Sequence, residues 1–214
     1  MSETLTDRTI VLGTRNAKKR RELEELLKPL AIRLMTLDEF ANSIEVEETG
    51  STFAENSALK ATEQARVLQR WVLAEDSGLA VDALDGAPGV YSARFAGESA
   101  TDDANNRKLI ESLAGVPEQE RSAHYVCHMS LASPSGKIVL TAEGRCFGRI
   151  RLSPAGSSGF GYDPLFEIVE YHRTFGELGL HVKHVLSHRA RAMAHLVQGL
   201  SRFLERDPND DVSS

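Results

Sequence analysis

The chain of 214 residues contains little cysteine and no long apolar run. None of its apolar stretches approaches the ~18 residues that a membrane-spanning helix needs. Residues 1–8 are polar and lack the apolar core of a signal peptide. Cys127 and Cys146 form no Cys-x-x-Cys motif, so we predict two buried thiols in a reducing compartment, although facing strands would also allow a disulfide. We therefore expect a cytoplasmic protein without a membrane segment.

Basic residues are in deficit: 25 Lys and Arg against 31 Asp and Glu give a formal net charge of -6. A protein that binds duplex nucleic acid without sequence preference needs a basic face, so we expect no nucleic-acid partner. A local basic pocket for a small anion is compatible with this charge. The composition is that of an ordinary globular protein, and the length suffices for one large core or for a two-lobed domain.

The general motifs for phosphate binding and for a nucleophilic serine are missing as well. There is no Gly-x-x-x-x-Gly-Lys-Ser/Thr segment. Gly159-Phe160-Gly161 lacks the third glycine of a dinucleotide fingerprint, and Gly156-Ser157-Ser158-Gly159 does not match Gly-x-Ser-x-Gly. The function must therefore be sought in less general constellations.

Hydrophobic periodicity predicts a mixed α/β domain. Helices are predicted over residues 18–30, from a Ser51 or Thr52 cap to Leu68, over 101–113 and over 188–206. Strands are predicted over residues 9–14, 32–35, 72–75, 79–81, 123–132 and 137–147. The turn Ser133-Pro134-Ser135-Gly136 between the last two strands predicts a hairpin.

Adjacent carboxylates follow the apolar run Trp71-Val72-Leu73: Glu75 and Asp76 precede Ser77-Gly78, which we interpret as a turn. This pattern predicts a buried strand whose tip presents charge at a site, and the alternative is a solvated turn. A second acidic cluster ends at Glu48, and the polar turn after the first strand carries Lys18 and Lys19. Acids together with a cationic turn indicate a site for magnesium and a polyphosphate.

Two further segments carry candidate ligands. In Gly159-Phe160-Gly161-Tyr162-Asp163, two glycines let the backbone approach a planar ligand, although a bulged strand start is the alternative. His181, His184 and His188 suggest a zinc site, because residues at i and i+4 such as His184 and His188 share a helix face, but no cysteine or further histidine is near. A surface turn is the second interpretation of the histidines, and His188 with Arg189 as hydrogen-bond donors to a ligand is the third.

Taken in chain order, these segments resemble the inosine/xanthosine triphosphate pyrophosphatases, which remove aberrant purine nucleotides. The resemblance covers nearly the whole chain, and its specificity comes from the ordered set of motifs. These are Thr14-Arg15-Asn16-Ala17-Lys18-Lys19, Glu48-Thr49-Gly50-Ser51-Thr52-Phe53-Ala54-Glu55-Asn56, Leu59-Lys60-Ala61, Glu75-Asp76-Ser77-Gly78-Leu79, the segment from Gly86 to Gly97, the segment from Gly159 to Phe166, and Ser187-His188-Arg189.

The resemblance implies an elongated, two-lobed, mixed-sheet α/β domain with a nucleotide cleft between the lobes, and a homodimer. We assign the domain to residues 1–206 and a polar tail to 207–214. The implied reaction is the hydrolysis of XTP, ITP and dITP between the α and β phosphates, which gives the nucleoside monophosphate and pyrophosphate. The implied cofactor is Mg²⁺.

The resemblance also implies the roles of individual residues. Asp76 would accept the proton of the attacking water, and Glu48 and Asp76 would hold the magnesium ion. Phe160 would stack on the base, Lys183, His188 and Arg189 would donate to its 6-oxo group, and Asp163 would reach the sugar or the base edge. The complete substrate-binding set is Thr14, Arg15, Asn16, Ala17, Lys18, Lys19, Lys60, Ser77, Phe160, Gly161, Tyr162, Asp163, Lys183, His188 and Arg189.

The chain departs from the family pattern at a few positions. Glu75 stands where the family commonly has a second aspartate, and Gly176-Glu177-Leu178 replaces Ala-Glu-Met. His184 replaces an asparagine or serine beside the expected base-reading segment.

Three rival functions differ in testable features. A Maf-type pyrophosphatase would carry a Ser-x-Arg-Arg segment after the first strand, and residues 14–19 do not match it. A nucleotide-binding regulator without catalysis would be expected to lose Asp76 or Glu48, and both are present. A metal-dependent phosphatase would release orthophosphate, so the identity of the released ion separates it from a pyrophosphatase.

Overall fold

The computed structural model describes residues 9–30 and 32–205. Its seven strands form one mixed sheet in the order β2-β1-β3-β4-β5-β6-β7. The strands are β1 (Thr9–Leu12), β2 (Arg33–Thr36), β3 (Val72–Val81), β4 (Ser122–Ala132), β5 (Ile138–Ile150), β6 (Phe166–Ile168) and β7 (Arg173–Thr174). The helices are α1 (Ala17–Leu27), α2 (Phe53–Leu68), α3 (Asp102–Ser112), α4 (Phe175–Leu186) and α5 (His188–Glu205).

The sheet combines parallel and antiparallel pairs. Strand β1 runs parallel to β2 and β3, whereas β6 runs antiparallel to β5 and β7. The predicted hairpin turn joins the neighbouring strands β4 and β5, and the Ser133 N–H donates to the Lys137 carbonyl at 2.9 Å. The predicted mixed α/β class is therefore confirmed, while the expected tail at residues 207–214 lies outside the described residues.

The chain divides into two compact units. Among the described residues, the first unit contains those up to Asp76, His128–Glu143 and those from Ala192 onward, and the second contains Ser77–Cys127 and Gly144–Arg191. Strands β3, β4 and β5 each contribute residues to both units.

The core of the first unit lies between α2 and the parallel strands. Helix α2 begins at a capping box, in which the Thr52 side chain accepts from the Glu55 N–H and the Glu55 side chain accepts from the Thr52 N–H. Its small apolar residues Ala61 and Ala65 are fully buried in one cluster with Val11 of β1. Because these side chains are short, the helix backbone can pack closely on the sheet.

The core of the second unit is built around aromatic rings. Tyr125 of β4 packs on Phe166 of β6 with ring centroids 4.6 Å apart, and Phe166 stacks on Phe175 of α4 at 5.6 Å. Cys127 and Cys146 are buried and form no disulfide. Burial raises the pKa of Cys146 to about 11, so this thiol is neutral at physiological pH.

Strand β3 corrects the predicted turn after the two acids. A single strand runs from Val72 to Val81 through Glu75, Asp76 and Ser77, so the carboxylates lie within the strand and not at its tip. The prediction was wrong because it treated buried acids as a signal for a strand end. Ion pairs with lysines from other elements let these acids remain buried inside the sheet.

Other element boundaries differ by local causes. The first predicted helix ends at Leu27, and residues 28–30 around Pro29 form a 3₁₀ turn. Helix α4 was not predicted, because Gly176 and Gly179 interrupt its apolar pattern, and Gly179 has non-helical angles. Among the described residues, no helix has the length and apolar character to cross a bilayer.

Candidate active site

Two adjacent carboxylates of β3 meet lysines of the first unit. Glu75 is buried, and its Oε1 lies 3.2 Å from the Nζ of Lys19 in the first turn of α1. A buried carboxylate is costly unless it is paired, and Lys19 provides the opposite charge. The predicted phosphate ligand Lys19 is thus held beside β3 by Glu75, which the predicted metal and substrate-binding sets did not include.

Asp76 is bound through both of its carboxylate oxygens. Its Oδ1 lies 3.2 Å from Lys60 Nζ, and its Oδ2 accepts a hydrogen bond from Asn56 Nδ2 at 3.2 Å. Burial raises the pKa of Asp76, while the charges of Lys60 and Lys19 act in the opposite direction. A carboxylate with a raised pKa is a stronger proton acceptor than an exposed one, which suits a general base.

Glu48 shares Lys60 with Asp76. Lys60 Nζ lies 3.0 Å from Glu48 Oε1, so one ammonium group joins the two predicted magnesium ligands. Glu45 and Glu47 of the same acidic cluster are exposed. Magnesium binds one or two protein carboxylates and completes its shell with water and substrate phosphates. The donor set of Glu48 and Asp76 fits such an ion.

Asn56 connects the strand acid to the loop that carries Glu48. Its Oδ1 accepts from the Gly50 N–H at 2.8 Å, and its Nδ2 donates to Asp76, so both ends of the buried amide are used. The predicted site set did not include Asn56. A signal was present in the sequence, since Asn56 and Lys60 stand four residues apart on one helix and share a face.

The turn after β1 forms the N-terminus of α1. Asn16 Oδ1 accepts from the Lys18 and Lys19 N–H groups at 3.0 and 3.2 Å and so caps the helix. The Asn16 N–H donates to Thr14 Oγ1, and Arg15 Nη2 donates to Ser43 Oγ at 2.9 Å. The structure therefore gives Thr14, Asn16 and Arg15 internal partners. Ala17 opens the helix, and its side chain and those of Arg15 and Lys18 are exposed.

A buried ion pair organises the predicted base-reading residues of the second unit. Lys183 Nζ lies 2.6 Å from Asp163 Oδ2, and both side chains are almost fully buried. The same carboxylate accepts from the Phe160 N–H at 2.8 Å and from Tyr125 Oη at 3.4 Å. Asp163 was expected to reach the sugar or base edge. These internal contacts also let Asp163 position Lys183 and the Phe160 loop, while its contact with the sugar or base edge stays a prediction.

His188 and Arg189 begin helix α5. The His188 ring stacks on Tyr125 with centroids 4.6 Å apart, and Arg189 Nη2 donates to Ser77 Oγ at 3.0 Å. Both side chains are buried. Tyr125 was missed by sequence reasoning because an alternating strand residue gives no signal of a stacking partner far along the chain.

Phe160 lies between two cations and a tight turn. Lys183 Nζ is 4.2 Å and Arg189 Cζ 5.9 Å from the centroid of its ring, which are cation–π distances. Gly159 has φ +81°, and a Cβ there would lie 2.0 Å from Asp163 Oδ2, so only glycine fits. The Gly161 N–H donates to Asp102 Oδ2 at 3.0 Å, which fixes the loop to α3.

The remaining predicted residues take structural positions. Tyr162 is buried, its hydroxyl donates to the Ser92 carbonyl at 2.8 Å, and burial raises its pKa above the ordinary range. His181 and His184 lie in α4, while His188 lies in α5. In the part of the chain that the structure describes, no three His, Cys, Asp or Glu side chains are grouped to hold a metal. The three histidines therefore do not form the alternative zinc site.

Comparison with known proteins decides the family. The profile described as the Ham1 family matches residues 10–199. The chain belongs to the Ham1 family. A relative from Rhodopirellula baltica named dITP/XTP pyrophosphatase is 55% identical over 196 residues, which are 92% of this chain and 94% of the relative. A dITP/XTP pyrophosphatase from Desulforamulus reducens is 49% identical over 91% of this chain and 96% of its own length.

Solved structures of Ham1 proteins share the fold. A HAM1 protein from Coxiella burnetii superposes with a TM-score of 0.83 at 39% identity, covering 91% of this chain and 98% of that one. A nucleoside-triphosphatase and dITP/XTP pyrophosphatase from Mycobacterium abscessus gives a TM-score of 0.73 at 41% identity over 88% of this chain and 98% of its own. The family predicted from the ordered motifs is confirmed.

Proposed function

We propose that this Ham1 protein hydrolyses the noncanonical purine nucleoside triphosphates dITP, ITP and XTP between the α and β phosphates. The products are the nucleoside monophosphate and pyrophosphate. The observation that carries the proposal is the buried Asp76 carboxylate, bound by Lys60 and Asn56 in a chain whose relatives are named dITP/XTP pyrophosphatases.

The cations of the first unit would bind the triphosphate. Lys19 and Lys60 each carry a charge-assisted pair with a carboxylate, and a polyphosphate offers the same kind of acceptor. The N-terminus of α1 adds a favourable field for anions. Phosphoryl transfer depends mainly on such positioning and charge neutralisation.

Asp76 would act as the general base. Its carboxylate takes the proton of a water molecule that attacks the α-phosphorus, and the bond from the α-phosphorus to the bridging oxygen breaks. Pyrophosphate leaves with the bridging oxygen. Glu48 and Asp76 would hold Mg²⁺, which when bound neutralises phosphate charge and favours deprotonation of water.

The donors of the second unit would read the base. Lys183, His188 and Arg189 present N–H groups, and hypoxanthine and xanthine present an acceptor oxygen at C6 where adenine presents an amino group. Donors facing an amino group would leave buried partners unsatisfied. Phe160, with cations against its ring, offers the stacking surface. Discrimination against GTP would depend on its 2-amino group.

We further propose that the enzyme is a homodimer in the cytoplasm that acts on free nucleotides and binds no nucleic acid. The formal net charge of -6 supports the last point.

The product ions test the proposed reaction. Purified protein is incubated with ITP and Mg²⁺, and pyrophosphate and orthophosphate are measured separately. We expect equimolar IMP and pyrophosphate, no direct release of orthophosphate, and loss of turnover in EDTA that added Mg²⁺ restores. Release of orthophosphate and IDP would instead identify a phosphatase, and full activity after exhaustive chelation would exclude the metal assignment.

A further inference from the structure

A cavity of about 290 Å³ lies within the second unit and shares no lining residue with the candidate active site. Three arginines contribute to its wall: Arg121 before β4, Arg149 in β5 and Arg151 after β5. The other lining residues are Glu118, Ile150, Leu152, Ser153 and Glu167.

Two of the three arginines have carboxylate partners. Arg149 pairs with Glu118 at 2.6 Å and with Glu167 at 3.0 Å. Arg151 pairs with Glu177 at 3.4 Å. The charges of these two guanidinium groups are therefore compensated within the unit.

Arg121 differs from its neighbours. Only 9% of the residue is exposed, and its Nε is buried without a hydrogen-bond partner in the described part of the chain. Its backbone is well held, since its N–H donates to the Glu118 carbonyl and its carbonyl accepts from the Ile150 N–H. Its guanidinium group, however, forms no ion pair or hydrogen bond with residues 9–30 or 32–205.

A buried guanidinium N–H without a hydrogen-bond partner is costly. Removing a charged donor from water without a partner costs more free energy than removing a neutral donor. An anion in the cavity would supply the missing partner. The planar guanidinium group matches the paired oxygens of a phosphoryl group and binds them in a bidentate manner.

We propose that this cavity binds a phosphate-class oxyanion, either orthophosphate or pyrophosphate, through Arg121 and with Arg151 at its more exposed side. Arg149 is occupied by its two acids and keeps the wall in place. The binding needs neither magnesium nor the residues of the candidate active site, so the proposal does not depend on the proposed function.

Equilibrium dialysis with radiolabelled orthophosphate in EDTA tests the proposal. The protein variants are wild type, Lys19→Ala to weaken phosphate binding at the candidate active site, Arg121→Gln, and Arg70→Gln as a matched change at an exposed arginine. We expect saturable binding by the wild type, Lys19→Ala and Arg70→Gln, and at least tenfold weaker binding by Arg121→Gln. Absence of saturable binding by the wild type, or equal binding by Arg121→Gln, would overturn the proposal.

Thermal unfolding separates ligand binding from a structural role. Phosphate should raise the Tm of Lys19→Ala but not that of Lys19→Ala combined with Arg121→Gln, because only a ligand of the folded state stabilises it. An equal rise of the Tm in both variants would contradict the proposed phosphate site.

Should Arg121→Gln fail to fold, Arg151→Gln takes its place in the dialysis. Its side chain is 39% exposed, and binding at least threefold weaker than wild type is expected, whereas unchanged binding would reject the proposal.

Labelled pyrophosphate distinguishes the two ligands. Tighter binding of pyrophosphate than of orthophosphate would identify the proposed product as the occupant. Tighter or equal binding of orthophosphate would identify the free ion. Either result supports a phosphate-class site if the binding of the labelled ion is lost in Arg121→Gln.

Discussion

At the scale of single residues, the pKa of Asp76 is subject to two opposing influences, burial and nearby positive charge. Burial raises its pKa, and the ammonium groups of Lys60 and Lys19 favour its ionised form. An exposed acid would keep its charge at little cost but would be a weaker base. The lysines thus allow an ionised carboxylate to remain in a place where its basicity is increased.

Replacing Asp76 with asparagine should abolish most turnover while the fold remains. The amide has nearly the same shape but accepts no proton, and loss of a general base costs about 10²–10⁴-fold in rate. We expect kcat for ITP to decrease by at least about 10²-fold. The circular dichroism spectrum should remain that of wild type. Glu47→Gln, at an exposed acid near Glu48, is the matched control. A variant with wild-type kcat would remove Asp76 from the mechanism.

Asn56 should act as a positioning residue. Asn56→Ala removes the hydrogen bonds to Asp76 and to the Gly50 N–H, so the base and the loop bearing Glu48 lose their common anchor. Misplacement of this kind can cost about 10²-fold in rate. We expect kcat to fall by about that factor and the Mg²⁺ concentration for half-maximal activity to rise.

Asn42→Ala, at an exposed asparagine, is the control for this change. A purely structural role for Asn56 predicts a different pattern. The Tm would then fall, while the folded fraction would retain wild-type kcat and an unchanged magnesium requirement.

At the scale of elements, the helix cap and hairpin turn could be predicted from neighbouring residues. The ion pairs that compensate buried acids could not, because they join residues far apart in the chain. The cap at Thr52 and the hairpin turn follow from residues adjacent in the chain. The continuity of β3 does not follow from adjacent residues, because the burial of Glu75 depends on Lys19, which lies in another element. The chemistry proposed for Asp76 does not depend on the strand boundary, because it rests on residue type and motif order.

Helix α2 and strand β4 also share a polar contact in the first unit that should depend on pH. His128 Nδ1 lies 3.0 Å from Ser57 Oγ, which also bonds to Ser130 Oγ at 2.9 Å. Burial lowers the pKa of His128 from its ordinary 6.5, and the charge of Glu143 opposes this effect. The folded protein therefore binds a proton less readily than the unfolded chain.

The sign of the pH effect follows from proton linkage. As the pH falls through 6.5, the unfolded chain gains a proton at this position before the folded protein does, so stability is lost. We expect His128→Gln to have a smaller decrease in Tm than wild type between pH 7 and pH 5. His172→Gln, at an exposed histidine, should retain the wild-type slope. Equal slopes for His128→Gln and wild type would mean that His128 does not contribute.

At the scale of the whole molecule, the order of motifs predicted more than any single motif. Glu48, Lys60 and Asp76 were assigned from separate segments, and the first unit joins them through one ammonium group. Lys183 and Asp163 were likewise assigned separately and form an ion pair in the second unit. Their internal partners could not be foreseen, because family motifs identify residues without giving their mutual contacts.

Arg121 shows what the sequence could not indicate. Its position before a strand is ordinary, and only the structure reveals that the guanidinium group is buried beside a cavity. A buried charge becomes informative when its surroundings are known, since an arginine in the sequence is most often exposed.

A competition between nucleotides tests whether the protein is a pyrophosphatase that selects purines with a 6-oxo group. Equal concentrations of ITP, XTP and ATP are incubated with the wild-type protein and Mg²⁺, and the nucleotides are separated by chromatography over time. We expect IMP and XMP to form together with pyrophosphate, and kcat/KM for ATP to be at least about 100-fold lower than for ITP, because the amino group of ATP faces hydrogen-bond donors. Consumption of ATP at the rate of ITP, or formation of nucleoside diphosphates in place of monophosphates, would contradict this expectation.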